Sequence, residues 1–539
     1  MSTTEPSATG DYTHRQILTI ISGLMLGMFL GALDQTIVST SIRTIADDLQ
    51  GLSMQAWATT AYLITATITT PIYGKLGDLY GRKKLFMTAI SIFIVGSALC
   101  SLASSMTTLA LFRAVQGLGA GGLFTLILAI IGDIVSPRER AKYTGYFMAV
   151  FGTSSVLGPL VGGFLAGRDS LLGVTGWRWV FLVNVPIGVF ALAVVLRTLH
   201  VHAPRPAGRV RIDWWGAAAL VVALVPLLTV AEQGRDWGWT SGRSLAAFVI
   251  GAVGLVAFVG IERAMGDAAL IPPRLFRIRA AVVTLGASVL VGVAMFGGIM
   301  LLPLYMQIVH GASPTESGFL MLPMVAGMMT ASIGSGRIIS RTGQVRTFPI
   351  VGSALVTVAL VLLSLTTADT ALALVMLPMF VLGLGLGSCM QPLLLTMQSA
   401  VPPQEIGVAT SSATFFRQIG GTVGVAVFLS VLFGGVGTNI QQAFADDAGN
   451  PVVAQALADP AFQEKLGRIE DDSSIIETLP DALAHPIKQG FADSMDPVFL
   501  MAAGAGLLAF LVLLLMPSVE LRQTSAAAAA RAAAAPEGD

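Results

Sequence analysis

Apolar runs long enough to cross about 30 Å of hydrocarbon, which takes about 20 residues of helix, recur fourteen times along this chain of 539 residues. They fall at 17–38, 52–74, 85–104, 108–131, 143–166, 177–198, 213–231, 244–263, 280–306, 315–339, 347–366, 371–395, 405–433 and 491–516. A chain built this way has to satisfy its backbone inside the bilayer, so the pattern predicts an all-α polytopic membrane protein. Composition agrees. Charged residues make up 12%, against about 25% in a typical soluble protein, and 59 glycines allow close helix approach. This excludes a disordered chain and an ordinary cytosolic enzyme. With 31 basic and 31 acidic residues there is no net field to attract nucleic acid. Cys100 and Cys389 both lie inside apolar runs and have no close Cys or His, so neither a disulfide nor a metal site is expected.

Lys and Arg sort by side. With the N-terminus inside, and residues at the ends of runs counted with the adjoining loop, 21 fall on the inner side, 8 on the outer, and 2, Arg113 and Arg417, within the spans. Basic loops resist translocation, and an even number of spans returns the chain to the side it started on, so both termini are expected in the cytoplasm. The first 16 residues carry Glu5 and Asp11 and lack the basic start of a signal peptide. One long outer loop, 434–490, turns acidic towards its end, and the stretch VVAQALADPAFQEKL within it suits short helices. The loop reads either as a solvated cap or as a lid over the outer mouth.

An internal repeat sets the architecture. The segment GKLGDLYGRKKLF lines up with GRIISRTGQVRTF, matching Gly74 with Gly336, Gly81 with Gly343, Lys84 with Arg346 and Phe86 with Phe348. A second alignment matches Pro137 and Glu139 with Pro403 and Glu405. The chain therefore divides into a tail (1–16), a six-helix bundle (17–198), a linker with two extra helices (199–279), a second bundle carrying the outer loop (280–516), and a tail (517–539). Repeats of this kind place a substrate site near the midplane where the halves meet. The repeat also breaks informatively. Asp78 and Asp133 of the first half align with Ser340 and Ser399, as expected of a charge network that bridges the halves from one side only.

These segments carry a resemblance. GKLGDLYGRKKLF resembles the signature loop of the major facilitator superfamily, and LFRAVQGLGAG at 111–121 its second motif. GTSSVLGPLVGG, with Gly152, Gly158, Pro159, Gly162 and Gly163, is similar to the motif of its antiporters. LDQTIVSTSIRTIADDL, WATTAYLI and FFRQIGGTVGVA resemble the fourteen-helix drug:proton antiporter subfamily. The resemblance implies two six-helix bundles plus two inserted helices. It also implies an inner gate at Gly74, Asp78, Gly81, Arg82 and Asp133, and a part for Arg113 in proton coupling. At position 43 this chain has Arg where the family usually has Pro.

The low charge content singles out Asp34, Arg113 and Arg417. An ionised carboxylate in hydrocarbon costs a few kcal/mol, so Asp34 is expected to face a cavity, where it can hold a proton or a cationic substrate but not both comfortably. A structural hydrogen bond is the plainer alternative. Arg113, followed by Gln116, cannot titrate and would act on a neighbouring acid, unless it snorkels to the outer interface. Arg417 serves either a pocket or coupling role, or a structural ion pair. Asp78 and Arg82, four apart, would face one way on a helix. Trp57, Tyr62, Met295, Phe296, Tyr305 and Gln307 suit the wall of a cavity for a greasy ligand, or helix packing.

The expected function is a monomeric, proton-driven exporter of small amphiphilic, often cationic compounds across the cytoplasmic membrane, working without cofactor or metal. A lipid or secondary-metabolite exporter of the same fold is the alternative. A membrane-embedded enzyme is disfavoured by the lack of HExxH, of a His cluster and of paired carboxylates, and an ATP-driven pump by the lack of a GxxxxGK[ST] loop.

Overall fold

The structure, a computed structural model, describes residues 14–50, 55–199, 213–467, 476, 478–519 and 521. Most of both expected tails, 200–212 of the expected linker and the acidic stretch 468–475 lie outside the described residues. Helices dominate. The first group is α1 (His14–Asp48), α2 (Gln55–Tyr80), α3 (Arg82–Ser101), α4 (Met106–Ile134), α5 (Pro137–Ala166), α6 (Arg178–Leu182) and α7 (Asn184–Thr198). Next come α8 (Trp214–Trp237) and α9 (Gly242–Met265). The last group is α10 (Arg279–Ile308), α11 (Pro314–Leu320), α12 (Leu322–Thr342), α13 (Thr347–Leu363), α14 (Leu372–Ser399), α15 (Ile406–Asp446), α16 (Pro451–Leu457), α17 (Pro460–Gly467) and α18 (Asp481–Leu514). A two-stranded hairpin, β1 (Ser170–Leu171) with β2 (Val174–Thr175), joins α5 to α6.

Among the described residues the predicted runs fall on helix, and eleven helical segments are long and apolar enough to cross a membrane, two of them made of abutting α-helices. Gly152–Ala166 of α5 and all of α13 are shorter apolar stretches. Two runs are not single helices. Run 177–198 divides at Val183 into α6 and α7, and run 315–339 divides at Met321 into α11 and α12. Pro323 in the first turn of α12 lacks the amide that would continue the preceding helix. Helix starts follow the capping chemistry of the sequence. Ser105 with Thr108 opens α4, and Ser313 with Glu316 opens α11, each pair satisfying amides that the first turn leaves unpaired.

The outer loop differs most from expectation. Helix α15 continues beyond the end of its predicted span at 433 to Asp446, and α18 begins at Asp481, ahead of the predicted 491. The expected short helices are α16 and α17, and Phe462 packs edge-to-face on Phe444 at 5.8 Å, so this cap is folded helix seated on the ends of α15 and α18.

Packing follows the two groups. Leu24, Phe86, Phe93 and Leu123 centre one core within α1 to α7, while Leu302, Val356, Leu386 and Phe499 centre another within α10 to α18. The inserted pair is tied together by Gly254, where a Cβ would meet the Ala223 backbone at 2.6 Å, so only glycine permits this approach of α9 to α8. Leu220 and Leu224 of α8 then pack with Ile64 and Ile68 of α2 and Val408 of α15. The outward face of α9 leaves Val249, Val253 and Val256 exposed at 62%, 63% and 73%. Such a contiguous apolar face is unfavourable in water and suits lipid.

Candidate functional site

Asp34 lies on α1 and is fully buried, and three donors converge on its carboxylate. Arg113 Nη1 on α4 donates to Oδ2 at 2.7 Å. Gln116 Nε2, one turn along the same face of α4, donates to Oδ1 at 2.8 Å, and Asn184 Nδ2 at the start of α7 donates to Oδ1 at 2.7 Å. Arg113 is equally enclosed. Its Nη1 also donates to Gln116 Oε1 at 2.8 Å, its Nε donates to the Ala58 carbonyl at 3.2 Å, and its guanidinium lies 4.1 Å from the Tyr62 ring centre. The snorkelling alternative for Arg113 is therefore overturned: the charge points inward to Asp34 rather than to the interface. Asp34 has its cation built in, and its anionic form is fully solvated by protein donors.

Small residues bring these helices close enough for the network to form. A Cβ at Gly117 would meet the Tyr62 carbonyl at 2.4 Å, and one at Gly121 the Ala66 carbonyl at 2.3 Å, so α4 lies directly on α2. At Gly158 a Cβ would sit 2.0 Å from Thr36 Oγ1, and at Gly162 2.9 Å from the Ile37 carbonyl, which presses α5 onto α1 beside Asp34. Gly152 instead faces Val325 of α12, Gly163 meets nothing within 4 Å, and Pro159 is half-buried within α5.

A second network lies at the end of the helices expected to face the cytoplasm. Arg82 Nη2 pairs with Asp78 Oδ1 at 2.7 Å, and its Nε and Nη2 both donate to the Asp133 carboxylate. Asp78 and Arg82 do not share a helix as their spacing suggested. α2 stops at Tyr80, and Gly81, at φ +92°, turns the chain before α3 begins with Arg82. Its repeat partner Gly343 is also at positive φ, +73°, where a Cβ would be strained. Asp78 then reaches across to α15, accepting from the amides of Gly407 at 3.0 Å and Val408 at 2.8 Å. Those amides are unpaired donors at a helix N-terminus, which favours an anion there. The seam continues outward. A Cβ on Gly74 would collide with Ser411 Oγ at 2.1 Å, and Thr70 Oγ1 bonds Gln418 Oε1 at 3.2 Å. On the linker side, Lys75 Nζ donates to the Asp267 carbonyl at 2.7 Å, and Arg274 pairs with Glu405 beside the start of α15.

Arg417 stands apart from both networks. It is half-buried near the middle of the α15 span and has no hydrogen bond or ion pair among the described residues. The structural-ion-pair alternative for Arg417 is absent here, although a central arginine costs about 2.5–3.5 kcal/mol on insertion scales. The suggested cavity residues do not gather at one place. Tyr62 lies on Arg113. Met295 and Tyr305 belong to the second core, with Tyr305 Oη donating to the Thr367 carbonyl at 3.0 Å. Phe296 packs against Gly421, Gln307 bonds Ser317 Oγ at 3.4 Å, and Trp57 is half-buried near the outer start of α2.

Sequence reasoning passed over Asn184, which in FLVNVP reads as a turn residue before Pro186. Gly407 and Val408 act through backbone amides, which leave no side-chain signature. Acids inside predicted runs were also passed over, though they were visible, Glu262, Asp493 and Asp496 among them. Glu262 accepts from the Leu270 and Ile271 amides, Asp493 accepts from Gln489 Nε2 at 2.7 Å, and Asp496 has a buried Oδ1 with no hydrogen-bond partner among the described residues.

The sequence profile described as "Major Facilitator Superfamily" matches residues 24–425. An uncharacterized MFS-type transporter of Mycobacterium tuberculosis (strain ATCC 25618 / H37Rv) is 36% identical over 93% of this chain and 70% of its own length. Two Bacillus subtilis (strain 168) proteins are similarly related. Multidrug transporter protein MdtP is 36% identical over 79% of this chain and 77% of its own, and Multidrug resistance protein 3 is 33% identical over 94% and 96%. In fold, the chain is similar to the MFS proton:xylose symporter XylE, with a TM-score of 0.60 at 15% identity over 96% of this chain and 100% of that one. A predominantly helical architecture, two packed halves with an inserted helix pair, and relatives matched along most of their length lead to one assignment: this integral, multi-pass membrane protein belongs to the major facilitator superfamily.

Proposed function

We infer that the protein is a proton-coupled antiporter that exports hydrophobic or amphiphilic small molecules from the cytoplasm by alternating access. In this reading fourteen helices span the cell membrane, both termini are cytoplasmic, and the monomer works without cofactor. The names of its relatives, a multidrug transporter and a multidrug resistance protein among them, point the same way.

The observation that carries the reading is the closed cage around Asp34. Its oxygens accept from Arg113, Gln116 and Asn184, all buried, so its charge is matched by one fixed cation. A proton added to Asp34 neutralises the one acid paired with Arg113 among the described residues and leaves a buried guanidinium uncompensated, at a cost of several kcal/mol. Protonation therefore favours any rearrangement that rehydrates Arg113, and release of the proton restores the cage. That links proton occupancy to helix packing, because α1, α4 and α7 each contribute to the cage. The inner seam supplies the moving part: Asp78 holds α15 shut, and breaking its two amide contacts opens the inner side. Proton re-entry provides about 2.3 kcal/mol per charge per 100 mV, plus the pH difference.

Inverted membrane vesicles energised to an acid interior test this. Adding a transported compound should discharge part of the pH gradient. If no transported compound moves protons, the antiport reading fails.

A further inference from the structure

Among the described residues Arg417 is a cation inside a span with no anion to match it, and its surroundings say what would supply one. It does not face lipid. Val423 and Val427 mark the lipid side of α15, with exposures of 45% and 38%. At about 100° per residue, Arg417 lies roughly 80–120° around the helix from them. Instead it borders α10 and the seam between the halves. A Cβ on Gly292 of α10 would press on the Arg417 carbonyl at 2.2 Å, and the adjacent Gln418 bonds Thr70 of the first half. One turn outward, Gly421 has no side chain, and the half-buried Phe296 ring occupies the space, with a Cβ there meeting the ring at 2.3 Å. An arginine one helical turn from an aromatic ring, near the middle of a span and next to a residue that bridges the halves, sets a charge close to an apolar surface.

We propose that Arg417 is the docking point for the carboxylate of an amphiphilic organic acid, whose apolar body lies along Phe296. A guanidinium presents a planar fork of donors that matches a carboxylate, stays charged at every working pH, and is less strongly hydrated than an ammonium, which suits a low-water site. The cargo range of the exporter then includes acids and zwitterions as well as cations. This rests on the export reading, and it assigns to the second half a subsite separate from the Asp34 cage. Acid cargo binds without displacing Arg113 from Asp34.

The test is equilibrium binding to the purified full-length protein in detergent, followed by the fluorescence anisotropy of three pyrene probes of one shape: 1-pyrenebutyrate, its methyl ester, and 1-pyrenebutylamine. The acid should bind at least tenfold more tightly than the ester at pH 7, and the amine more weakly than the ester. Arg417→Gln should bring acid affinity down to that of the ester, and Arg417→Lys should keep part of the preference. Equal affinities for acid and ester in the wild-type protein would overturn the proposal, as would an Arg417→Gln protein that keeps the preference. If phosphatidylglycerol added to the micelles displaces the probes and the acid shows no preference, a lipid headgroup is the occupant and the proposal is again overturned. Should Arg417→Gln fail to fold, the three-probe comparison on wild type decides alone. Binding in detergent needs no gradient, so an acid preference without proton release in vesicles would sink the antiport reading and leave this one standing.

Discussion

Asp78 caps α15 from the opposite half of the molecule, accepting the Val408 amide at 2.8 Å and the Gly407 amide at 3.0 Å. An ionised acceptor makes each of these worth about 1.5–3 kcal/mol. Asp78→Asn keeps the shape but loses the charge, and weakens the inner-closed state by about that much. Turnover should fall about tenfold or more with little change in apparent substrate affinity. Transport kinetics in vesicles separate the two, and a pure affinity loss would remove Asp78 from gating.

Asp34→Asn should abolish proton movement coupled to transport. It also leaves Arg113 buried without an anion, which costs about 3–5 kcal/mol of stability. The double variant Asp34→Asn with Arg113→Gln should recover much of the melting temperature but none of the coupling. A double variant that transports protons would show the pair to be structural only.

Asn184 donates to both Asp34 Oδ1 and Ser97 Oγ, the latter at 3.0 Å. Asn184→Leu is expected to lower stability by about 1–3 kcal/mol and to reduce coupled transport more than substrate binding. Thermal unfolding and the vesicle assay read the two effects separately. Unchanged coupling would place Asn184 outside the cycle.

At Gly158 there is no room for a side chain, since a Cβ would lie 2.0 Å from Thr36 Oγ1. Gly158→Val should force α5 away from α1 and abolish transport, whereas Gly163→Ala, at a position with nothing within 4 Å, should be tolerated. Equal loss from both would show that packing against α1 is not what the glycines provide.

Burial, followed by the nearby Lys488 ammonium, holds the His310 imidazole below its ordinary 6.5. The unfolded chain therefore binds this proton first. Stability should fall as pH drops from 6.5 towards the lowered folded value, and level off once the folded imidazole also titrates. His310→Gln should flatten that slope in a thermal-melt series, and an unchanged slope would assign it to other groups.

The helices were legible because about 20 apolar residues in a row admit few alternatives, and the repeat was legible because Gly81 and Gly343 both serve positive φ. The breaks at Val183 and Met321 were not, since Pro186 and Pro323 are their only marks and Pro71, Pro159 and Pro303 sit inside helices that run on unbroken. Asp34 and Arg113 drew notice as lone charges, but their pairing depends on how α1 and α4 rotate against each other, which Gly117 and Gly121 help set through contacts with α2 that the motif alone does not reveal. The spacing of Asp78 and Arg82 suggested one helical face. The contact exists, but a glycine turn makes it.

Helix α15 has 41 residues and no interior proline, so it forms a rod about 60 Å long in a layer whose hydrocarbon is about 30 Å thick. Its backbone is pinched against α10 at Gly420, where a Cβ would meet the Val289 carbonyl at 2.1 Å. That point divides the rod unevenly, with about 20 Å to Gly407 inside and about 36 Å to Phe444 outside. A stiff rod rocking on that fulcrum moves its long arm nearly twice as far as its short arm, and in the opposite direction. Release at Asp78 would then be magnified in the helical cap, where spin labels beside Phe444 and Phe462 would register the inner gate from the far side of the membrane.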